Sequence, residues 1–341
     1  MMEELVMNHT KSVNNDAEYI VSLALGYQAS QILSAAINLD IFTILESGAK
    51  NISEITLHLE ADEGALRRFS NALVSLNLLE KKNGMFHNTN ISSQYLVKGK
   101  KKYLGNAIHH GSNLWDSWKE LDDQIRSGEG RRPNGEQLRE YPHRLKDYLS
   151  AMDDFAELKA DMISDVLSIK KYSKMLDLGC GRGTYSLTFA SQNNKLHCTL
   201  VDLEPNIVYT RELIHKSRYR NRISVQACQI LEDEIPGYGY DLIFISNLIH
   251  AYSESEVKKI LGKAWDKAAK NSEIVIHDYI LDDSGHGPRN ASLFDLNMFV
   301  GTPKGKCYTM FDIKRLFDSL GAKSLKKTPI GLGSSLVIGV K

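Results

Sequence analysis

Residues 175–183 read Met-Leu-Asp-Leu-Gly-Cys-Gly-Arg-Gly: a short apolar run, an acid at Asp177, then glycines at 179, 181 and 183. Glycines alternating at that density let the backbone turn tightly and approach a ligand where a Cβ would collide. The dinucleotide fingerprint needs a strand, then G-x-G-x-x-G, then a helix. Here the sixth position from Gly179 is Thr184, and the third glycine comes one residue early. A second apolar run, Leu196-His197-Cys198-Thr199-Leu200-Val201-Asp202, also ends in an acid. It lies about 25 residues beyond Asp177, near the roughly 20 that separate a glycine loop from a ribose-holding acid in one βα unit. A ribose diol offers two hydroxyl donors to one carboxylate. Asp202 would otherwise merely end a strand and cap the next helix; the glycine loop upstream favours the ribose.

Around this core, strand-like runs at 174–178, 197–202, 223–227, 240–246, 273–278 and 335–340 alternate with helical stretches. That alternation predicts a doubly wound α/β sheet. A chain of 341 residues exceeds the usual single-domain size. We divide it into an N-terminal domain at 1–100, a helical linker and cap at 101–170, and the ligand-binding domain at 171–341. Lysine plus arginine balance aspartate plus glutamate at 42 each, so no global field favours nucleic acid or an anionic membrane. There is no run of about 18 apolar residues for a membrane span, and Met1–Lys11 is no signal peptide. Cysteines 180, 198, 228 and 307 are widely spaced, with no C-x-x-C. This predicts reduced thiols in a cytoplasmic enzyme rather than disulfides or a metal site.

Residues 1–16 are polar, with frayed ends expected. From Ala17 to Leu39 a helix is predicted that is apolar nearly all round, through Ile20, Val21, Leu23, Leu25, Ile32, Leu33 and Ile37. Such a helix is buried on more than one face, against a partner subunit or within its own domain. Asp62 is placed to cap a helix carrying Leu66, Phe69, Leu73 and Leu76. Asn83-Gly84, within Lys82-Asn83-Gly84, predicts a hairpin whose arms are Leu78–Glu80 and Met85–His87. Helices followed by a hairpin look like a winged helix, a fold much used on DNA. A major-groove reader carries a basic surplus on its second helix, whereas here Asp62 and Glu63 cancel Arg67 and Arg68. DNA binding is therefore not expected. Further along come Trp115, Trp118, a Gly/Arg-rich loop at Ser127–Gly135, and a linker helix at Tyr148–Leu167 that carries Met152 and Phe155 toward the second domain.

The acidic-x-Gly-x-Gly-x-Gly order resembles motif I of class I methyltransferases, which bind S-adenosylmethionine. Residues 20–341 resemble the two-domain small-molecule O-methyltransferases of plants and bacteria, a group that includes caffeate, hydroxyindole and polyketide-tailoring enzymes. Ala35-Ala36-Ile37-Asn38-Leu39-Asp40-Ile41-Phe42 is similar to a stretch of their winged-helix dimerisation domain. Residues 176–183 and 200–203 match their cofactor loop and Asp-Leu acid. Ser246-Asn247-Leu248-Ile249-His250-Ala251-Tyr252-Ser253 matches the segment with their catalytic histidine, which is normally followed by Asp-Trp. Asp295-Leu296-Asn297-Met298 matches a substrate-facing helix start.

The resemblance implies S-adenosylmethionine held by Asp177, Gly179, Gly181, Gly183, Asp202, Leu203, Cys228, Gln229 and Ser246. It implies His250 as general base, oriented by Asp278. His277 points to the opposite face if the strand is regular. The implied acceptor is an aromatic, phenolic molecule, of the kind that the family's polyketide-tailoring members take. Met152, Phe155, Asn247, Asn297, Met298, Phe299 and Cys307 stand around it. A homodimer is implied, with neither nucleic acid nor membrane as partner and no metal. Two departures stand out. In Gly305-Lys306-Cys307-Tyr308-Thr309, cysteine replaces the family's second acid and tyrosine its arginine; in Ala227-Cys228-Gln229, the adenine-binding aspartate is missing. C- or N-methylation on the same scaffold stays open, as does a winged-helix regulator that senses S-adenosylmethionine.

Overall fold

The computed structural model describes residues 2–130 and 142–341, with side chains described over 15–130 and 144–341. The 131–135 part of the Gly/Arg-rich loop lies outside the described residues. Two compact units are present, Met1–Asn113 and Leu114–Lys341.

In the first unit a long helix, α1 (Met2–Asn38), continues back through the stretch expected to fray. It is followed by α2 (Ile41–Glu46), α3 (Ile52–Leu59), α4 (Glu63–Ser75) and the hairpin β1 (Leu79–Lys82) and β2 (Met85–Asn88). Asp62 caps α4, its Oδ1 accepting from the Ala65 amide at 2.7 Å. Asn83 and Gly84 both take positive φ, 51° and 80°, as a two-residue hairpin turn requires. Ala36, Ile37, Ile41, Phe42, Leu66, Leu73 and Phe86 share one core. Among the described residues of α1, those near its C-terminal end enter it. Along the rest, Tyr19, Ile20, Val21 and Leu23 are 50–63% exposed. The expectation that no stretch could cross a membrane needs correction. Asn15–Asn38 is long and apolar enough by length and composition alone, at mean hydropathy 1.4. Its interspersed Ser22, Gln28 and Ser30 break the uninterrupted run without lowering the average far.

The second unit is built on a sheet in the order β5-β4-β3-β6-β7-β10-β9. The strands are β3 (Lys174–Leu178), β4 (His197–Asp202), β5 (Ile223–Ala227), β6 (Tyr240–Ser246), β7 (Ala268–Leu281), β8 (Tyr308–Thr309), β9 (Ser324–Gly331) and β10 (Ser334–Val340), with β8 beside β7. β3 to β7 run parallel, while β10 is antiparallel to both β7 and β9. The helices Pro142–Glu157, Ala160–Leu167, Thr184–Gln192 and Glu204–Lys216 cover one face, packing on Leu242, Phe244 and Val275. Glu254–Lys267 and Met310–Ser319 cover the other, packing on Ile243, Ile245, Ile274 and Ile276. Because side chains alternate along a strand, the opposite parities of β6 and β7 feed the two cores. The chain order 3-2-1-4-5 reverses direction between β3 and β6, so the strand ends there open a crevice for ligands.

The expected single helix Tyr148–Leu167 is instead two helices, broken at Leu158 and Lys159. The break turns Lys159 inward to only 4% exposure, where its ammonium donates to Ser334 Oγ at 2.9 Å.

Candidate functional site

At the carboxyl ends of β3, β4 and β6 lies a cavity of about 250 Å³. Its floor is the loop after β3. Gly179, Gly181 and Gly183 take φ of 73°, 52° and 84°, in the left-handed region where a side chain is strained. A Cβ on Gly179 would meet Leu248 at 2.8 Å and one on Gly183 would meet Leu200 at 3.0 Å, while around Gly181 there is open space. Gly179 and Gly183 serve close packing, then, and Gly181 keeps room clear on the cavity side.

Two acids end the flanking strands. Asp202, 7% exposed, accepts from the amides of Gly181 (2.8 Å) and Leu203 (2.7 Å) and from Asn206 Nδ2 (2.7 Å). Asp177 is buried behind it and accepts from Ser186 Oγ at 2.6 Å. Burial pushes its carboxyl up to about 7, the Asp202 charge adds to this, and the Ser186 bond opposes it. Leu145, Leu149, Met152 and Ala156 of the helix Pro142–Glu157 close the cavity from above. Phe155 falls off that stripe and is 36% exposed. Sequence reading overlooked Asp153 on the same helix, which accepts from Thr184 Oγ1 and pairs with Arg182 at 3.4 Å. Burial raises its carboxyl to about 6, against the pull of Arg182.

After β6 the chain turns at Asn247, whose φ is 48°. This puts Ser246, Asn247 and His250 on the cavity wall. His250 Nδ1 lies 2.7 Å from Asp278 Oδ1, with both side chains nearly buried. A carboxylate only accepts, so Nδ1 carries the hydrogen and Nε2 is left as the basic nitrogen. Asp278 is itself held by the Tyr279 amide at 2.8 Å. His277, on the other sheet face, has its Nδ1 2.8 Å from Ser246 Oγ.

Beside His250 stands an aromatic wall that the sequence did not flag. Phe294 meets the imidazole edge-on at 5.0 Å, and Tyr279 stacks on Phe294 at 4.0 Å. Two spacings carry the only sequence hint: Phe294 is one helical turn before Met298, and Tyr279 follows Asp278. Cys307 packs into this cluster with its amide on Asp295 Oδ1 at 2.6 Å. Burial and the carboxylates of Asp278 and Asp295 push its thiol up, so it is a neutral group. Met298 is buried, Asn297 and Phe299 are half-buried, and none of the three lines the cavity.

Cys228 and Gln229 do not line the cavity either. Cys228 is buried with its amide on the Asp202 carbonyl at 2.8 Å. Gln229 Oε1 is a buried acceptor with no partner among the described residues. No cluster of metal-ligating side chains occurs among the described residues.

Comparison with known proteins places this architecture. The O-methyltransferase domain family matches residues 118–323, and the O-methyltransferase dimerisation domain matches residues 21–98. The chain is 26% identical to the 3-hydroxy-5-methyl-1-naphthoate 3-O-methyltransferase of Streptomyces sahachiroi, over 85% of each chain. It is 23% identical to the tetracenomycin polyketide synthesis 8-O-methyl transferase TcmO of Streptomyces glaucescens, over 94% of this chain and 96% of that one. Human N-acetylserotonin methyltransferase, solved in complex with S-adenosylmethionine, superposes with a TM-score of 0.87 at 20% identity, covering 96% of this chain and 97% of that one.

Proposed function

Because the chain belongs to the S-adenosylmethionine-dependent O-methyltransferase family, we propose that it methylates a hydroxyl on an aromatic, polyketide-like small molecule, with His250 as general base. The observation that carries this reading is the His250–Asp278 pair, 2.7 Å apart, at the wall of a cavity floored by the glycine loop.

The cavity suits the cofactor. Gly181 leaves space that a Cβ would fill, and Asp202 and Leu203 stand at the cavity edge with acceptors for a ribose. Asp177, Gly179 and Ser246 line the same cavity. Bound S-adenosylmethionine supplies an electrophilic methyl group. His250 Nε2 takes the proton from the acceptor hydroxyl, which makes the oxygen a better nucleophile. A phenol titrates near 10 and imidazole near 6.5, so proton transfer is most effective when coupled to attack. Asp278 keeps the imidazole in the useful tautomer and stabilises its charged form. Cys307, as a neutral thiol, does not share that work. Phe294 and Tyr279 offer flat apolar surface to an aromatic ring beside His250, and Met152 lines the adjoining cavity.

Relatives that act on a hydroxynaphthoate and on a tetracenomycin polyketide support the substrate class. The dimerisation-domain match and the exposed apolar length of α1 support a homodimer. Four free, buried cysteines suit a reducing cytoplasm. Mass spectrometry of a phenolic library incubated with methyl-labelled cofactor tests the reaction. One methyl per acceptor hydroxyl is expected, and methylation on carbon or nitrogen would replace this reading.

A further inference from the structure

Behind the cavity wall lies a buried polar chain that the proposed chemistry does not use. Lys159 Nζ donates to Ser334 Oγ at 2.9 Å, His277 Nε2 stands 3.1 Å from that same oxygen, and His277 Nδ1 is 2.8 Å from Ser246 Oγ. His277 is fully buried, Ser334 is 2% exposed and Lys159 4% exposed. Ser246, in contrast, lines the cavity.

The valences of this chain decide where each proton sits. Ser334 Oγ donates its one hydrogen to the Gly331 carbonyl at 3.1 Å. It is left with two lone pairs. An ammonium only donates, so Lys159 takes one of them, and the other accepts a hydrogen from His277 Nε2. Nδ1 of a neutral imidazole is then unprotonated and must accept. Burial and the Lys159 charge push the His277 pKa down to about 3, so the ring holds a single proton at neutral pH. The donors facing Nδ1 are the Ser246 hydroxyl at 2.8 Å and, more distantly, the Tyr185 hydroxyl at 3.4 Å. The Ser246 proton is thus committed away from the cavity. Its oxygen, touched also by Asn247 Nδ2 at 3.3 Å, faces the ligand as an acceptor.

We propose that Lys159, Ser334 and His277 are positioning residues that hold Ser246 Oγ as a hydrogen-bond acceptor toward the cavity, for a donor group that S-adenosylmethionine and S-adenosylhomocysteine both carry. The inference rests on the reading of the cavity as the cofactor site. The sulfonium has no N–H or O–H to donate, so such an acceptor serves the ammonium and hydroxyl donors common to both ligands.

Two measurements test it. Nitrogen-15 NMR of the ligand-free protein, labelled at histidine, is expected to show His277 protonated at Nε2 and bare at Nδ1. Ser334→Ala or Lys159→Met should shift that pattern toward Nδ1–H. Calorimetry with S-adenosylmethionine and S-adenosylhomocysteine is expected to show the affinity for both falling roughly tenfold in Ser246→Ala and in Ser334→Ala, the scale of one hydrogen bond. A wild-type His277 protonated at Nδ1 overturns the proposal, as do unchanged affinities for both ligands in both folded variants. If the tautomer is as stated but wild type binds neither ligand, the cavity reading fails instead.

Discussion

The amide of Gly181 donates to Asp202 Oδ2 over 2.8 Å, so the glycine loop after β3 and the acid ending β4 form one unit. In the chain they are read as two separate ligand contacts. In the fold, the carboxylate that faces the cavity also sets the conformation of the loop beside it. The Thr210 hydroxyl completes the clamp by donating to the Gly181 carbonyl at 2.5 Å.

Substitutions at the two positions are therefore expected to differ in kind. Gly181→Val fills open space and imposes a side chain at a positive φ, so it should abolish cofactor binding in a protein that still folds. Asp202→Ala should weaken binding and also loosen the ligand-free protein, since a hydrogen bond to a charged group contributes roughly 1.5–3 kcal/mol. Calorimetry paired with thermal melts of the apo protein checks both. Unchanged affinity in both variants would refute the cofactor assignment.

Removing the base should separate binding from chemistry. His250→Ala is expected to lower turnover by about 10²–10⁴-fold, the usual contribution of a general base, with cofactor affinity nearly intact. Asp278→Asn should cost less, because it spoils orientation and leaves the imidazole in place. Cys307→Ala should cost least, since a neutral thiol does not stabilise imidazolium. Rates measured from pH 6 to pH 10 allow for an acceptor that is already ionised. A Cys307→Ala defect as deep as that of His250→Ala across this range would point to a mechanism centred on the thiol.

Asp177 predicts a pH-dependent stability in the ligand-free protein. Burial raises its folded pKa from 3.8 to about 7, so the folded state holds this proton more tightly than the unfolded chain does. The associated stability is present below about pH 4 and is lost as pH rises to about 7, of order 4 kcal/mol at 1.36 kcal/mol per unit. Asp177→Asn carries no such loss. Its Tm relative to wild type should climb between pH 5 and pH 8, and a flat difference across that interval would contradict the assignment.

Light scattering at micromolar concentration should return the mass of a dimer. Tyr19, Ile20, Val21 and Leu23 of α1 are at least half exposed, and a contiguous apolar strip of that kind marks a binding surface. A charge placed within it, as in Ile20→Asp or Leu23→Asp, is expected to produce monomers. A wild-type monomer would leave the strip to another partner.

The parallel strands β3, β4 and β6 were legible to the residue, because strands covered on both faces appear as near-continuous apolar runs; β5, at the sheet edge, was legible from its alternation of Ile223, Val225 and Ala227 with polar residues. β9 was not. Its Ser-Leu-Lys-Lys-Thr-Pro-Ile-Gly carries adjacent lysines at 326 and 327 and Pro329, as edge strands do to resist further pairing. Only its pairing with β10 identifies it. The break at Lys159 was hidden for a related reason: the 148–167 stretch is helical in periodicity throughout, and what turns Lys159 inward is Ser334, 175 residues away.

The sequence by itself determined the α/β class, the glycine loop and the two strand-ending acids, because each is a property of neighbouring residues: backbone freedom, apolar periodicity, a motif. Only the tertiary structure decided that Gly181 and Asp202 are one clamp, that Phe294 and Tyr279 rather than Met298 flank His250, and that His277 reaches Ser246 while Asp278 reaches His250. Protonation, tautomer and the direction of a hydroxyl hydrogen are set by the partners a group meets, and those partners lie on strands that come together only when the sheet is formed.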